Sequence, residues 1–210
     1  MRVGPGLAAL FVALAAAAAC REPVPPPVAA PPPRLDAGDL AVMKALIDSV
    51  RRGATPPENA VPATSGLASE PHVLIVDTTL AVCDRDPRVF GTPPGGCLGP
   101  EWVAQVTRVL PQGSARTGTM AFENRNRRRL PIQGSLGAGV TPISATLIDG
   151  LAESALLREH PPGSAVVTIS VPAYPAPRTA AVAYSARQGE AGAARLEQTA
   201  DGRWSVVATR

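Results

Sequence analysis

Ala165-Val166-Val167-Thr168-Ile169-Ser170-Val171 sets Val166, Thr168 and Ser170 on one side and Val167, Ile169 and Val171 on the other, the period-two pattern of a strand. Residues 179–186 repeat it, with Ala181, Ala183 and Ser185 opposite Ala180, Val182 and Tyr184. Two further runs, residues 192–199 and 203–209, flank Ala200-Asp201-Gly202. A three-residue loop with Gly202 in the left-handed conformation pairs Leu196 with Val206 and Gln198 with Trp204, a more consistent apolar face than a two-residue loop gives. The C-terminal third therefore reads as about four consecutive antiparallel strands.

Upstream, His72-Val73-Leu74-Ile75-Val76-Asp77-Thr78-Thr79 is a β-branched run bounded by Pro71, a strand buried on both faces through its centre. Two amphipathic helices accompany it. Leu40, Met43, Leu46, Ile47 and Val50 form one stripe over residues 39–51, with Asp36 or Asp39 as cap and Gly53 as stop. Pro100 opens the second helix, whose stripe is Trp102, Val103, Val106, Val109 and Leu110 before Pro111. Residues 113–132 fit a short helix or a strand. Residues 55–71 and 134–142 read as loops, and residues 144–160 as a broken helical piece. The expected fold is α+β: one domain over residues 35–210, its C-terminal antiparallel sheet packed against the N-terminal and middle helices.

The N-terminus carries a different signal. Met1-Arg2 precedes an apolar run over residues 7–19, and Ala17-Ala18-Ala19 stand directly before Cys20. Arg21, Glu22 and Pro23 end the run short of the roughly 20 residues a membrane-spanning helix needs, so the layout is that of a secretory signal with a small-residue cleavage site. These residues resemble a bacterial lipoprotein signal, whose lipobox ends in a cysteine that is cleaved and lipidated. The resemblance implies residues 1–19 as signal peptide, Cys20 as the acylated residue and, since Arg21 is not Asp, placement at the outer membrane facing the periplasm. Several acyl chains make such an anchor stable, whereas one alone holds only marginally. Proline, valine and alanine dominate residues 21–34, so residues 20–34 form a lipidated, extended tether.

Composition excludes more than it assigns. The 20 basic and 17 acidic residues nearly balance, so no strongly charged partner is implied. Seven aromatic residues in 210 leave little from which to build a sugar- or base-stacking surface, and an exported chain has no nucleic-acid partner. With Cys20 lipidated, Cys83 and Cys97 remain as a pair. Their spacing is not C-x-x-C, and an oxidising compartment favours a disulfide closing the turn-rich segment between them.

Candidate chemistry is sparse. His72 and His160 are the two histidines, each beside a proline and without a second ligand at metal-site spacing, so both read as structural, and neither a metal nor another cofactor is expected. A Ser-His-Asp set of Ser170, His160 and Asp77 can be written down, but G-x-S-x-G is absent. Asp77, at a strand end beside two threonines, has the residue type for a general base or a turn cap. Arg125, Arg127, Arg128 and Arg129 form the one dense basic run, either an anion-binding patch for an envelope polymer or lipid headgroup, or a solvated turn.

The strand ending Val76-Asp77-Thr78-Thr79, the segment Phe122-Glu123-Asn124-Arg125-Asn126 and the closing Ala181-Val182-Ala183-Tyr184 and Asp201-Gly202-Arg203-Trp204 resemble a group of bacterial secreted proteins without assigned activity. That resemblance implies α+β architecture and nothing catalytic. The expected function is a membrane-anchored envelope lipoprotein with a non-catalytic interaction or accessory domain. The alternatives are an envelope hydrolase and a small-ligand-binding domain with a pocket between sheet and helix.

Overall fold

The computed structural model describes residues 34–53, 71–82, 97–145, 153–161, 163–186 and 191–210. Cys20, the other residues before Arg34, and Cys83 lie outside them.

Helix α1 (Ala37–Gly53) begins at a reciprocal pair of acids. The Asp39 N–H donates to Asp36 Oδ1 at 2.8 Å, and the Asp36 N–H donates to Asp39 Oδ2 at 3.2 Å. This is the capping-box arrangement, which satisfies backbone donors that have no partner inside the helix. The α1 stripe then buries Val42, Met43, Leu46 and Ile47 almost completely.

Strand β1 (Val73–Val76) follows, buried at all four positions. Two short strands, β2 (Ala81–Val82) and β3 (Cys97–Leu98), pair parallel in a ladder of their own. Helix α2 (Pro100–Val109) takes Pro100 in its first turn, where the missing N–H costs nothing. A 3₁₀ turn (Gln112–Ser114) leads into α3 (Ala115–Arg125), so the segment over residues 113–132 that fitted either helix or strand is helical as far as Arg125 and leaves the helix after it. The remaining elements are β4 (Val140–Ile143), α4 (Glu153–Leu157), β5 (Ala165–Ile169), β6 (Ala173–Ala176), β7 (Thr179–Ala186), β8 (Ala191–Gln198) and β9 (Trp204–Thr209).

The fold is α+β as expected, but the sheet corrects the expectation of four antiparallel strands. Seven strands form one mixed sheet in the order β4-β1-β5-β7-β8-β9, with β6 also on β7. β1 runs parallel to both β4 and β5, while β5, β7, β8 and β9 pair antiparallel. β1 accounts for the parallel part: its four apolar residues suit a central strand covered on both faces. Residues 134–142 read as a loop, but Val140–Ile143 pair with β1 as β4, and Pro142 is tolerated there because β4 is an edge strand.

Three layers result. On one face α1 packs over Val73, Ile75, Val167, Ile169, Val182 and Leu196. On the other, Trp102, Val106 and Phe122 from α2 and α3 cover Ala173, Ala181, Ala183 and Ala193, while Leu156 and Leu157 of α4 cover Leu74, Val76 and Val166. The C-terminal hairpin has the expected register, with Leu196 opposite Val206, Gln198 opposite Trp204 and Gly202 at φ +83°. A bulge between Arg195 and Leu196 is added to it. Among the described residues, no helix is long and apolar enough to cross a membrane.

Candidate functional site

Ser170, His160 and Asp77, the three side chains written as a hydrolytic set, fall with the second histidine, His72, into two places. His72 precedes β1 and Asp77 follows it, so five residues of extended chain, roughly 16 Å, separate them. Ser170 follows β5 at the Asp77 end, because β1 and β5 run parallel with Ile75 beside Val167. His160 lies with His72, their ring centroids 5.8 Å apart. No serine–histidine–aspartate set is assembled.

Ser170 and Asp77 also have other partners. β5 and β6 both pair with β7, and the chain departs from the ladder between them. There the Ser170 Oγ accepts the Ala183 N–H at 2.9 Å, taking the place of a backbone carbonyl. Asn126, fully buried after α3, completes the repair: its Oδ1 accepts the Val171 N–H at 2.7 Å, and its amide donates to the Val171 and Phe122 carbonyls at 3.0 and 2.9 Å. Buried peptide groups left unpaired would cost about 1–3 kcal/mol each. The Asp77 Oδ1 accepts the Ala145 N–H at 3.2 Å, while the Asp77 N–H and C=O bond to Ile143 and Ile132. Asp77 thus ties the ends of β1 and β4 together through a partner 68 residues away, which is neither the local turn cap nor the general base that its type suggested.

The densest polar constellation of the described residues lies elsewhere, around Asp39. This carboxylate is fully buried. Arg125 Nη2 donates to both of its oxygens, at 3.0 and 2.9 Å, and the Tyr174 hydroxyl donates to Oδ1 at 3.0 Å. With the Asp36 N–H on Oδ2, each oxygen accepts two hydrogen bonds. The Arg125 guanidinium also lies over the Tyr174 ring, 5.2 Å from its centroid, and Tyr174 tilts against Trp204 at 6.1 Å. Burial, then the charge of Asp39 and the hydrogen bond to it, push the Tyr174 hydroxyl well above the ordinary phenol range. A carboxylate so saturated has no lone pair left for a substrate proton; its chemistry is to join α1, α3 and β6.

Arg125 therefore departs from the rest of its basic run. Arg127 and Arg128 are exposed in the turn after α3, and Arg129 is half-buried. Cys97 opens β3, opposite Ala81. The sequence offers Asp39 only as one of two candidate helix caps, with Asp36, and not as the centre of this cluster. Its partners lie 86 and 135 residues away, and no local pattern announces them. Met43, Leu46 and Ile47 fill the space between α1 and the sheet. No protein family, curated protein or solved structure matches this chain.

Proposed function

We propose that this chain is a lipid-anchored protein of the bacterial envelope, held through Cys20 at the outer membrane and facing the periplasm, with residues 20–34 as tether. Its domain acts by binding an envelope protein or an anionic envelope polymer and is not catalytic. The observation that carries the reading is the apolar run over residues 7–19 ending in Ala17-Ala18-Ala19-Cys20. The geometry of the domain supports the second half: Asp77, Ser170 and Asp39 are taken up by backbone and internal partners, and Asp77 and Ser170 lie at the far end of the sheet from the histidines. Exposed Arg127 and Arg128 offer the anionic partner a surface that Arg125 does not.

The test is a Cys20→Ala variant in a bacterial host fed labelled palmitate. The parent takes up label and fractionates with membranes; the variant is unlabelled and accumulates as precursor or is released. A Cys20→Ala chain that matures and fractionates like the parent overturns the anchor.

A further inference from the structure

The chain has two histidines, 88 positions apart in sequence, and the fold brings their rings together. We infer that His72 and His160 form a binding site for a late first-row transition-metal ion such as Zn²⁺, with water completing the coordination shell.

The distance fits that chemistry. An imidazole nitrogen lies about 1.1 Å from its ring centroid and binds zinc at about 2.0–2.1 Å, so two rings on one ion hold their centroids about 5.1 Å apart at a tetrahedral angle and about 6.3 Å apart when opposed. The observed 5.8 Å lies within that interval. The two rings are tilted by 57° and not stacked face to face. Both residues are half-buried, so an ion can reach them from solvent.

Both backbones are held, His72 by the turn from Pro161 to Ser164 and His160 by the turn that ends α4. The His72 N–H donates to Ser164 Oγ at 3.0 Å, that hydroxyl donates to the Pro161 carbonyl at 2.7 Å, and the His72 carbonyl accepts the Ala165 N–H at 3.1 Å. The His160 N–H donates to the Leu157 carbonyl at 3.2 Å. Two ligands whose main chains are already fixed lose less entropy on binding than two from mobile loops. Among the described residues, no third His, Cys, Asp or Glu joins the pair in a group that could hold a metal ion, so water supplies the remaining positions. The site therefore keeps open positions, which suits exchange of the ion more than permanent retention.

The experiment is calorimetric titration of the full chain with Zn²⁺ near pH 7.5, compared with His72→Gln, His160→Gln and the double variant, with each variant's fold checked by circular dichroism. NMR of the imidazole ring protons gives a second readout on the unmutated protein. The expected result is a 1:1 event weakened about tenfold or more in either single variant, the loss of one coordinate bond's worth of affinity, with both imidazoles shifting on titration. A parent that binds no more tightly than the double variant, or imidazole signals that stay in place as Zn²⁺ binds, overturns the site.

Discussion

Tyr174 and Asp39 show what a single buried side chain contributes here. Asp39 has no exposed surface, so removing either donor leaves a carboxylate short of partners in a low-dielectric setting, the costly way to break a buried pair. The Tyr174 hydroxyl carries this coupling into pH dependence. Burial and Asp39 raise its proton affinity above the ordinary value of 10.0, so above about pH 10 the unfolded chain releases a proton that the native chain retains. The stabilisation is complete below that pH and is lost as pH rises past it. Burial shifts Tyr184 in the same direction, so Tyr174→Phe removes part of the alkaline slope and leaves the remainder. Equilibrium urea unfolding from about pH 8 to pH 11 checks this: the parent's stability falls more steeply than that of Tyr174→Phe. Equal slopes would remove Tyr174 from the account. At this scale the sequence offered the spacing of Asp36 and Asp39 and little else, because Arg125 and Tyr174 meet Asp39 only through tertiary structure.

Helix α3 presents a conflict between local preference and packing. Gly118 sits within it, and in an isolated helix glycine to alanine gains about 1 kcal/mol. Here a Cβ at position 118 would stand 2.6 Å from Leu110 Cδ1 and 2.9 Å from Pro175 Cβ. The leucine methyl can turn aside, but the proline ring cannot, and β6 carries it against α3. Gly118→Ala is therefore expected to destabilise, by about 1–3 kcal/mol as for other overpacked sites, measured by chemical unfolding against the parent. A gain in stability would show that α3 and β6 stand apart. The same dependence on distant neighbours explains which elements were legible. α1, α2 and β7–β9 announce themselves through their own periodicity and turns, and even the hairpin register followed from Leu196, Gln198, Val206 and Trp204. β4 and β6 do not: each is four residues long with an internal proline, Pro142 or Pro175, and is a strand only because β1 or β7 lies beside it.

Across the whole molecule, composition, compartment and cysteine number bear on one another. Alanines at positions 173, 181, 183 and 193 line the face under α2 and α3, so an Ala-rich chain with few aromatics builds a tight three-layer core by letting helices approach the sheet. The ladder of β2 and β3 lacks that support from length, having two residues in each strand. Cys97 begins β3, and Cys83 directly follows β2 in sequence. We propose that these cysteines join, the pairing that an exported chain with Cys20 acylated would adopt. Closing a loop of about 15 residues contributes roughly 3 kcal/mol by restricting the unfolded chain. Non-reducing peptide mapping of protein extracted from membranes should recover the Cys83 and Cys97 peptides joined, and reduction should lower unfolding stability by about that amount. Palmitate uptake and fractionation of Cys20→Ala read the anchor, whereas peptide mapping reads the staple, so failure of one is distinguishable from failure of the other. Separately alkylated Cys83 and Cys97 from a chain that still takes up palmitate would remove the staple and leave the anchor. The short ladder would then have to be held by the packing of Leu80 and Leu98 against α2, where Trp102 and Val106 already meet them.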